Sequence, residues 1–418
     1  MNAPVNAKAV NVKAATNAFF ARTEEHLVSY LEACLHCGHC ADVCHFHEAS
    51  GDPRHTPAYK LFPIAKAYRQ TKFPLNLFAP ALTEADLKEW EELLFDTCTM
   101  CGRCTAVCPM GIDIASIVGQ ARQAFAAAGL GPEDLLQAAE NSRDHGSPLG
   151  VTPARLADRI EWLADEHETD MPLDKPKADV LLTVSSIETM KYPDSLAAMA
   201  KILNHAGVDW TMSTKGYEST NFGYLSGRPD IAKIMTMRLV EAAEAVGAKT
   251  VIIPECGHAY GVMRWGAANT LGRPLPFEVL HISEYMAKLK REGKLKLKPM
   301  KESITYHDPC QISRRGGATE DARYLLDGFA EDFREMTPTG NYNWCCGGGG
   351  GVQAIGRAAE LRHKVFKIKI DQAEATGAEM LVSSCSNCRL TMDESKAALK
   401  WDGKLGSLVE LIADHLDE

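Results

Sequence analysis

From Asp179 onward, short runs of β-branched and other apolar residues alternate with segments whose apolar positions recur every three or four residues. Val180 to Val184, Val208 to Met212 and Val251 to Ile253 read as strands, with helices near Ser195 to Asn204 and Ile231 to Val246. The order then recurs. Ile304 to Tyr306 is followed by a helix near Asp321 to Leu326, an apolar stretch near Phe333, a helix from about Ala354 to Ala375, and Met380 to Val382. Two similar stretches, Ala243-Glu244-Ala245-Val246-Gly247-Ala248 and Ala373-Glu374-Ala375-Thr376-Gly377-Ala378, each lead into an apolar strand and then a cysteine, Cys256 or Cys385. The pattern predicts two α/β repeats related by a pseudo-twofold.

The chain before Asp179 has a helical texture. Thr23-Glu24-Glu25 opens one amphipathic segment with Leu27, Val28 and Leu31, and Thr83-Glu84-Ala85-Asp86 opens another with Leu87, Trp90 and Leu94. A third runs from Asp113 through Ile117, Val118, Ala121 and Phe125 to Gly129. Gly131-Pro132, Asp144-His145-Gly146-Ser147-Pro148 and Asp174-Lys175-Pro176 punctuate a connector with one further helix around Leu156 to Leu163.

With 418 residues the chain is long enough for several domains, each with its own core. Its 45 Lys and Arg against 55 Asp and Glu give a net charge of −10, with no dense basic run, so no nucleic-acid partner is expected. No stretch reaches about 18 consecutive apolar residues, and residues 1 to 22 lack a compact apolar segment before a cleavage site. A cytoplasmic protein is expected, reaching the inner face of a membrane only through a partner subunit. Its fourteen cysteines are then expected as free thiols, and metal ligation is the first reading for them.

Cys34, Cys37, Cys40 and Cys44 are spaced C-x2-C-x2-C-x3-C, and Cys98, Cys101, Cys104 and Cys108 repeat the spacing with Pro109 behind it. This is the bacterial ferredoxin run, in which three thiolates of one loop hold a cubane and the fourth serves the other cluster. Cys34, Cys37, Cys40 and Cys108 are thus assigned to one 4Fe-4S cluster, and Cys98, Cys101, Cys104 and Cys44 to a second. Zinc also takes C-x2-C pairs, but two matching quartets favour iron and sulfur. His36, His39, His45 and His47 stand among complete quartets and are read as solvent-facing or as hydrogen-bond partners of sulfur; His45 occupies the place where a proline often follows the fourth cysteine. The 53 residues between Cys44 and Cys98 exceed those of a compact ferredoxin. The region resembles the helical double-cluster ferredoxin domains of respiratory iron-sulfur subunits.

Cys310, Cys345-Cys346-Gly347 and Cys385-x2-Cys388 give C-x34-C-C-x38-C-x2-C. Five thiolates exceed the tetrahedral shell of one zinc, which points to a multinuclear site. The spacing resembles the cysteine-rich CCG domain of heterodisulfide reductase. That resemblance implies a non-cubane 4Fe-4S cluster held by Cys310, Cys345, Cys346, Cys385 and Cys388. Gly347 to Gly351 lack the Lys-Ser/Thr of a phosphate loop and are read as allowing close backbone approach and N–H donation to cluster sulfur. The upstream repeat has Asn221-Phe222-Gly223 in place of Cys-Cys-Gly, a residue near Ser186 in place of Cys310 and Ala259 near the place of Cys388; only Cys256 survives. It is expected to be metal-free. The asymmetry resembles DsrK/HdrD-like subunits of heterodisulfide reductase-type membrane redox complexes. The expected fold is therefore α+β and multi-domain: a flexible tail over 1–22, a helical double 4Fe-4S domain over 23–130, a connector over 131–177, a degenerate CCG repeat over 178–295 and an intact one over 296–418.

That resemblance implies an iron-sulfur oxidoreductase subunit coupling electron transfer through two cubanes to thiol/disulfide chemistry at the five-cysteine cluster. His307 and Asp308 just before Cys310, and Arg314 and Arg315 after it, are candidates to supply a proton or orient an anionic substrate. Asp308 also reads as a turn residue before Pro309, and the arginine pair as solvated. Cys256, with Glu255, His258 and Tyr260, is expected to line a cleft opposite the metal-bearing half, where it holds the second sulfur of a substrate as a mixed disulfide or is a buried structural thiol. Substrates would be a small disulfide or a protein thiol, and partners a cytochrome-b-like membrane quinone subunit or a flavoprotein. No G-x-G-x-x-G between strand and helix supports flavin or nicotinamide on this chain. The alternative is an electron relay of the glycolate or lactate oxidase type, between a flavoprotein and quinone. A zinc-stabilised scaffold would make both cysteine patterns coincidental.

Overall fold

A computed structural model describes residues 10–21, 25–71 and 74–417. The β-rich half holds two parallel sheets. The first is built from β1 (Val180–Leu182), β2 (Trp210–Thr211), β3 (Thr250–Ile253) and β4 (Glu278–His281), in the order β2-β1-β3-β4. The second contains β5 (Ile304–His307), β6 (Met380–Ser383) and β7 (Lys404–Ser407), in the order β5-β6-β7. A parallel bridge from Ile304 to Phe333 supplies the place that β2 fills in the first sheet, so both halves share one order. This is the expected duplication in an α+β chain. The apolar stretch near Phe333 forms only that bridge.

Strands buried on both faces need helices around them, and here the repeats cover each other. The helix Pro193–His205 of the first packs on Leu408–Asp414 of the second, and a single core runs from Val180 and Leu196 through Ile304 to Val382 and Ile412. β4, the helix Ile282–Arg291, β7 and Leu408–Asp414 were not anticipated from sequence. The helix expected from about Ala354 begins at Ala359, because residues 352–358 form two 3-10 turns.

The cysteine-rich N-terminal region is helical, as expected. Thr83 caps Glu84–Phe95 with a reciprocal box: its hydroxyl accepts from Asp86 N at 3.2 Å and Asp86 accepts from Thr83 N at 2.8 Å. Residues 1–9 and 22, assigned to a flexible tail, lie outside the described residues, as do Thr23 and Glu24 of the expected helix opening. Residues 12–21 correct the tail. Val12–Ala21 is a helix that buries Ala15 against Ile114–Ala127. The connector also holds two helices, Glu133–His145 and Pro153–Glu166; Pro132 and Gly146, read as breakers, are the N-cap and left-handed C-cap of the first.

Arg122 fastens the two halves. It is fully buried, and its guanidinium donates to Leu94 O at 3.0 and 3.2 Å, Cys98 O at 2.8 Å, Leu225 O at 3.1 Å and Gly350 O at 2.5 Å. One side chain thus satisfies carbonyls of the helical domain, the first repeat and the glycine run of the second.

Candidate functional site

Each N-terminal quartet closes around a small cavity, and each takes its fourth sulfur from the other. Cys34, Cys37, Cys40 and Cys108 line one cavity of about 30 Å3. Cys98, Cys101, Cys104 and Cys44 line another of the same size. The crossing follows from the local fold. In both motifs a left-handed glycine, Gly38 or Gly102, opens a short helix, and the chain leaves that helix extended at the fourth cysteine, Cys44 or Cys108. Burial pushes the Cys104 thiol well up, with Cys101, Cys98 and Cys44 adding to it, so the quartet resists ionising unless positive charge enters. Buried Lys60 stands beside Cys44 and Cys98, with its ammonium donating to His55 O at 2.9 Å. These residues fit a metal cluster better than four isolated thiols.

The histidines divide. His36 is exposed with Nδ1 3.9 Å from Cys34 Sγ, and His39 is exposed. His47 meets Ala41 O at 3.3 Å. His45 is buried, with Nε2 3.3 Å from Thr99 Oγ1, and it lowers the Cys101 thiol against the larger effects of Cys345 and burial.

Cys310, Cys345, Cys346, Cys385 and Cys388 are buried together behind the C-terminal ends of β5 and β6. Cys310 Sγ lies 3.9 Å from Cys345 Sγ, and Cys346 Sγ lies 3.3 Å from Cys388 Sγ. Gly347 N donates to Cys345 Sγ at 3.5 Å, and a Cβ on Gly347 would come within 2.9 Å of Val365 Cγ1. Hydrogen bonding to Cys345 and burial push Cys310 well up, while bonds from Cys345 and Cys388 hold Cys346 well below the ordinary thiol range. The five thiols are close enough to perturb one another, and cationic metal would take the place of their protons. A ring nitrogen of His307 also lies within 4.8 Å of the Cys346 and Cys388 sulfurs, and its Nε2 is buried with no hydrogen-bond partner among the described residues. The donor set fits a multinuclear cluster.

A cavity of about 230 Å3 opens onto the quintet between the two repeats. Its wall holds Cys310, Cys346, Cys385 and Cys388 on one side and Cys256, His258 and Thr220 on the other. The pseudo-twofold brings them together: Ser386 N, next to Cys385, donates to Glu255 O at 2.7 Å, next to Cys256. Cys256 Sγ contacts Thr220 Oγ1 at 3.6 Å, and burial, with Cys385 nearby, pushes its pKa up to about 12. It is a protonated thiol at neutral pH. His258 Nε2 accepts from Gly350 N at 3.2 Å.

Other expectations fail on geometry. Arg314 is not part of the cavity wall; it donates to Asn341 O at 2.5 Å, Cys101 O at 3.0 Å and Asn343 O, and so straps a loop to the helical domain instead of facing a substrate. Arg315 pairs with Asp113 at 3.1 Å. Asp308 accepts both Arg323 terminal nitrogens at 2.8 Å and Gly340 N at 2.8 Å; burial raises its carboxyl, but the Arg323 bonds hold it below the usual range. Glu255 turns toward Ser407 at 3.0 Å and Arg389 at 3.5 Å, and Tyr260 packs on Trp265 and His281; neither lines the cavity.

Lys60, Thr99 and Lys369 were not singled out from the sequence. Lys369 was legible in principle: Arg362, Val365, Phe366, Lys369, Ile370 and Ala373 share one helical face, which places an ammonium on an apolar side.

Residues 30–112 match the 4Fe-4S dicluster domain family and residues 304–393 the cysteine-rich CCG domain family. Among characterised proteins, the chain is 30% identical over 399 residues to HdrD of the dihydromethanophenazine:CoB–CoM heterodisulfide reductase from Methanosarcina barkeri, covering 92% of this chain and 94% of that one. It is 28% identical to the Hdr-like menaquinol oxidoreductase iron-sulfur subunit of Archaeoglobus profundus, over 78% of this chain and 68% of that one. Identity is again 28% to the EtfAB:quinone oxidoreductase of Syntrophomonas wolfei, over 88% of this chain and 56% of that one. A hypothetical protein from Helicobacter pylori of known crystal structure shares the fold, with a TM-score of 0.53 at 10% identity over 98% of this chain and 77% of that one.

Proposed function

The chain belongs to the HdrD-like family of 4Fe-4S oxidoreductase subunits, and from that premise we propose that it carries thiol/disulfide chemistry itself, at the wall formed by Cys310, Cys345, Cys346, Cys385 and Cys388. The observation that carries this reading is the cavity. A pure relay needs only short distances between centres, whereas here about 230 Å3 of space adjoins four of the five sulfurs and Cys256. Bound in their sites, two cubane 4Fe-4S clusters supply single electrons and a non-cubane 4Fe-4S cluster supplies iron able to bind sulfur. The residues do the rest. Cys34, Cys37, Cys40 and Cys108, and Cys98, Cys101, Cys104 and Cys44, fix the two cubanes within one helical domain. Cys101, buried in one cluster with Cys345 and the other four cysteines, brings the second quartet against the quintet. Gly347 N–H neutralises charge on Cys345.

The overall change is R–S–S–R′ plus two electrons and two protons giving R–SH and R′–SH, in either direction. Cys256 faces the site as a thiol, so a mixed disulfide forms with its proton passing to the departing sulfur: Cys256–SH and R–S–S–R′ give Cys256–S–S–R and R′–SH. The cavity's size and burial favour a low-molecular-weight sulfur compound, or a thin arm of a protein, over a folded protein surface. A membrane quinone subunit resembling cytochrome b, or a flavoprotein, would exchange electrons with the helical domain; no described helix is long and apolar enough to cross a membrane. The relay reading is favoured by the similarity to a relative whose name joins EtfAB to quinone.

Low-temperature EPR on anaerobically purified protein separates the two. A paramagnetic signal that appears on oxidation only when 2-mercaptoethanol is present supports sulfur chemistry on this chain. Reduced-cubane signals alone, unmoved by thiol, make the chain a relay.

A further inference from the structure

Behind the quintet lies a polar chain whose donors and acceptors can be assigned completely. Lys369 is fully buried in the helix Ala359–Thr376 and donates to Asn343 Oδ1 at 2.6 Å and Gln372 Oε1 at 2.7 Å, with Met336 Sδ at 3.9 Å. A main-chain carbonyl only accepts, so the amide nitrogen of Asn343 must face Asp308 O, at 2.8 Å, and also reaches His307 Nδ1 at 3.3 Å. The amide oxygen is thereby turned toward Lys369. The amide nitrogen has no lone pair to offer, so His307 Nδ1 must accept. The ring is neutral, and its one proton sits on Nε2.

With Nδ1 committed to Asn343, Nε2 is the nitrogen free to serve the Cys346 and Cys388 sulfurs, both within 4.8 Å of a ring nitrogen of His307. A protonated Nε2 has no lone pair for a metal. Were His307 a ligand, its proton would have to move to Nδ1, against the Asn343 amide hydrogens, and the Lys369-Asn343 bond would have to break. We infer that His307 is a positioning residue that donates its Nε2–H to sulfur of the five-cysteine centre, fixed in that tautomer by Lys369 through Asn343, and is not a sixth ligand. The inference rests on the reading that the quintet holds a cluster. Donation to sulfur stabilises the negative charge that reduction adds, so it raises the centre's midpoint potential.

The test is ENDOR on the full chain with its clusters, labelled with 15N-histidine and oxidised in the presence of 2-mercaptoethanol, in H2O and after D2O exchange. The wild type is expected to show an exchangeable proton coupled to the five-cysteine centre in addition to that of Gly347 N–H, with only a weak, dipolar 15N coupling from histidine. His307→Leu and Lys369→Met are each expected to remove that additional proton, leaving the Gly347 one, and to lower the midpoint potential of the centre, with cubane signals unchanged. A large isotropic 15N coupling, or an exchangeable-proton spectrum that neither substitution alters, overturns the inference. If the variants do not fold, the wild type decides: no dipolar histidine 15N coupling at the centre overturns it. A wild type with cubane signals and no five-cysteine centre fails the underlying reading instead, and the inference with it.

Discussion

Cys101 and Cys345, 244 positions apart in the chain, share one buried cluster where the helical domain meets the second repeat, each perturbing the other's thiol, and Cys345 Sγ lies 3.5 Å from Thr99 Oγ1. One sulfur belongs to a quartet and the other to the quintet, so the seam joins the two cysteine sets. Its closeness depends on glycine. At Gly350 the backbone is left-handed, with φ +63°, and a Cβ would lie 2.8 Å from Thr99 C and 3.0 Å from Cys98 O.

Gly350→Ala should therefore pry the seam apart. Strain at positive φ together with backbone overlap is expected to cost about 2 kcal/mol or more of stability. Stopped-flow reduction should show the cubanes reduced at the wild-type rate and the five-cysteine centre reduced more slowly. Unchanged transfer between them would mean that the seam is not the route.

The crossed quartets make a prediction that a simple reading of each motif would reverse. Cys108→Ala should disturb the centre of Cys34, Cys37 and Cys40 and spare that of Cys98, Cys101 and Cys104, because Cys108 lines the first cavity. Redox titration by EPR should find one cubane lost or altered, and the spin coupling between two reduced cubanes gone.

These cysteines were legible because their spacing is regular and repeated, and the repeats because β1, β3, β5 and β6 are short apolar runs at corresponding places. What escaped is long-range or marginal. β4 and β7 end in His281 and Ser407 and carry charged residues, Glu278 and Lys404, at their starts, so neither reads as an apolar strand. Arg314 was misread because its partners are main-chain carbonyls, including that of Cys101, 213 residues away, and no local pattern announces a carbonyl. Thr99 and Lys60 matter only once two distant segments are brought together.

The degenerate repeat has filled part of its interior with carboxyls. Glu188, Glu218 and Glu255 are all buried, and burial raises them to about 8, 7 and 7, with Glu255 and Glu218 adding to the shift of Glu188. Between the unfolded value near 4.5 and these folded values, the native state binds more protons than the unfolded chain. Stability contributed by these groups is thus complete below about pH 4.5 and declines as pH rises toward 8. Thermal melts should show Glu188→Gln raising the Tm at pH 8 relative to wild type, with little effect at pH 5. An equal effect at both would place the ionisation elsewhere.

Cys256 decides whether the cavity is used on both of its walls. Its thiol faces the quintet across the pseudo-twofold, and a pKa of about 12 keeps it protonated, so attack is slow unless its proton passes to the departing sulfur as the S–S bond breaks. Cys256→Ser keeps the size and the contact with Thr220 while removing sulfur. It should leave iron and sulfide content and the cubane signals intact, and reduce turnover of a small disulfide by at least about a hundredfold, the scale on which one lost catalytic group is felt. The thiol-dependent EPR signal should persist, because Cys310, Cys345, Cys346, Cys385 and Cys388 are untouched. Turnover equal to the wild type would leave Cys256 a buried thiol of the first repeat, and the whole sulfur reaction to the opposite wall.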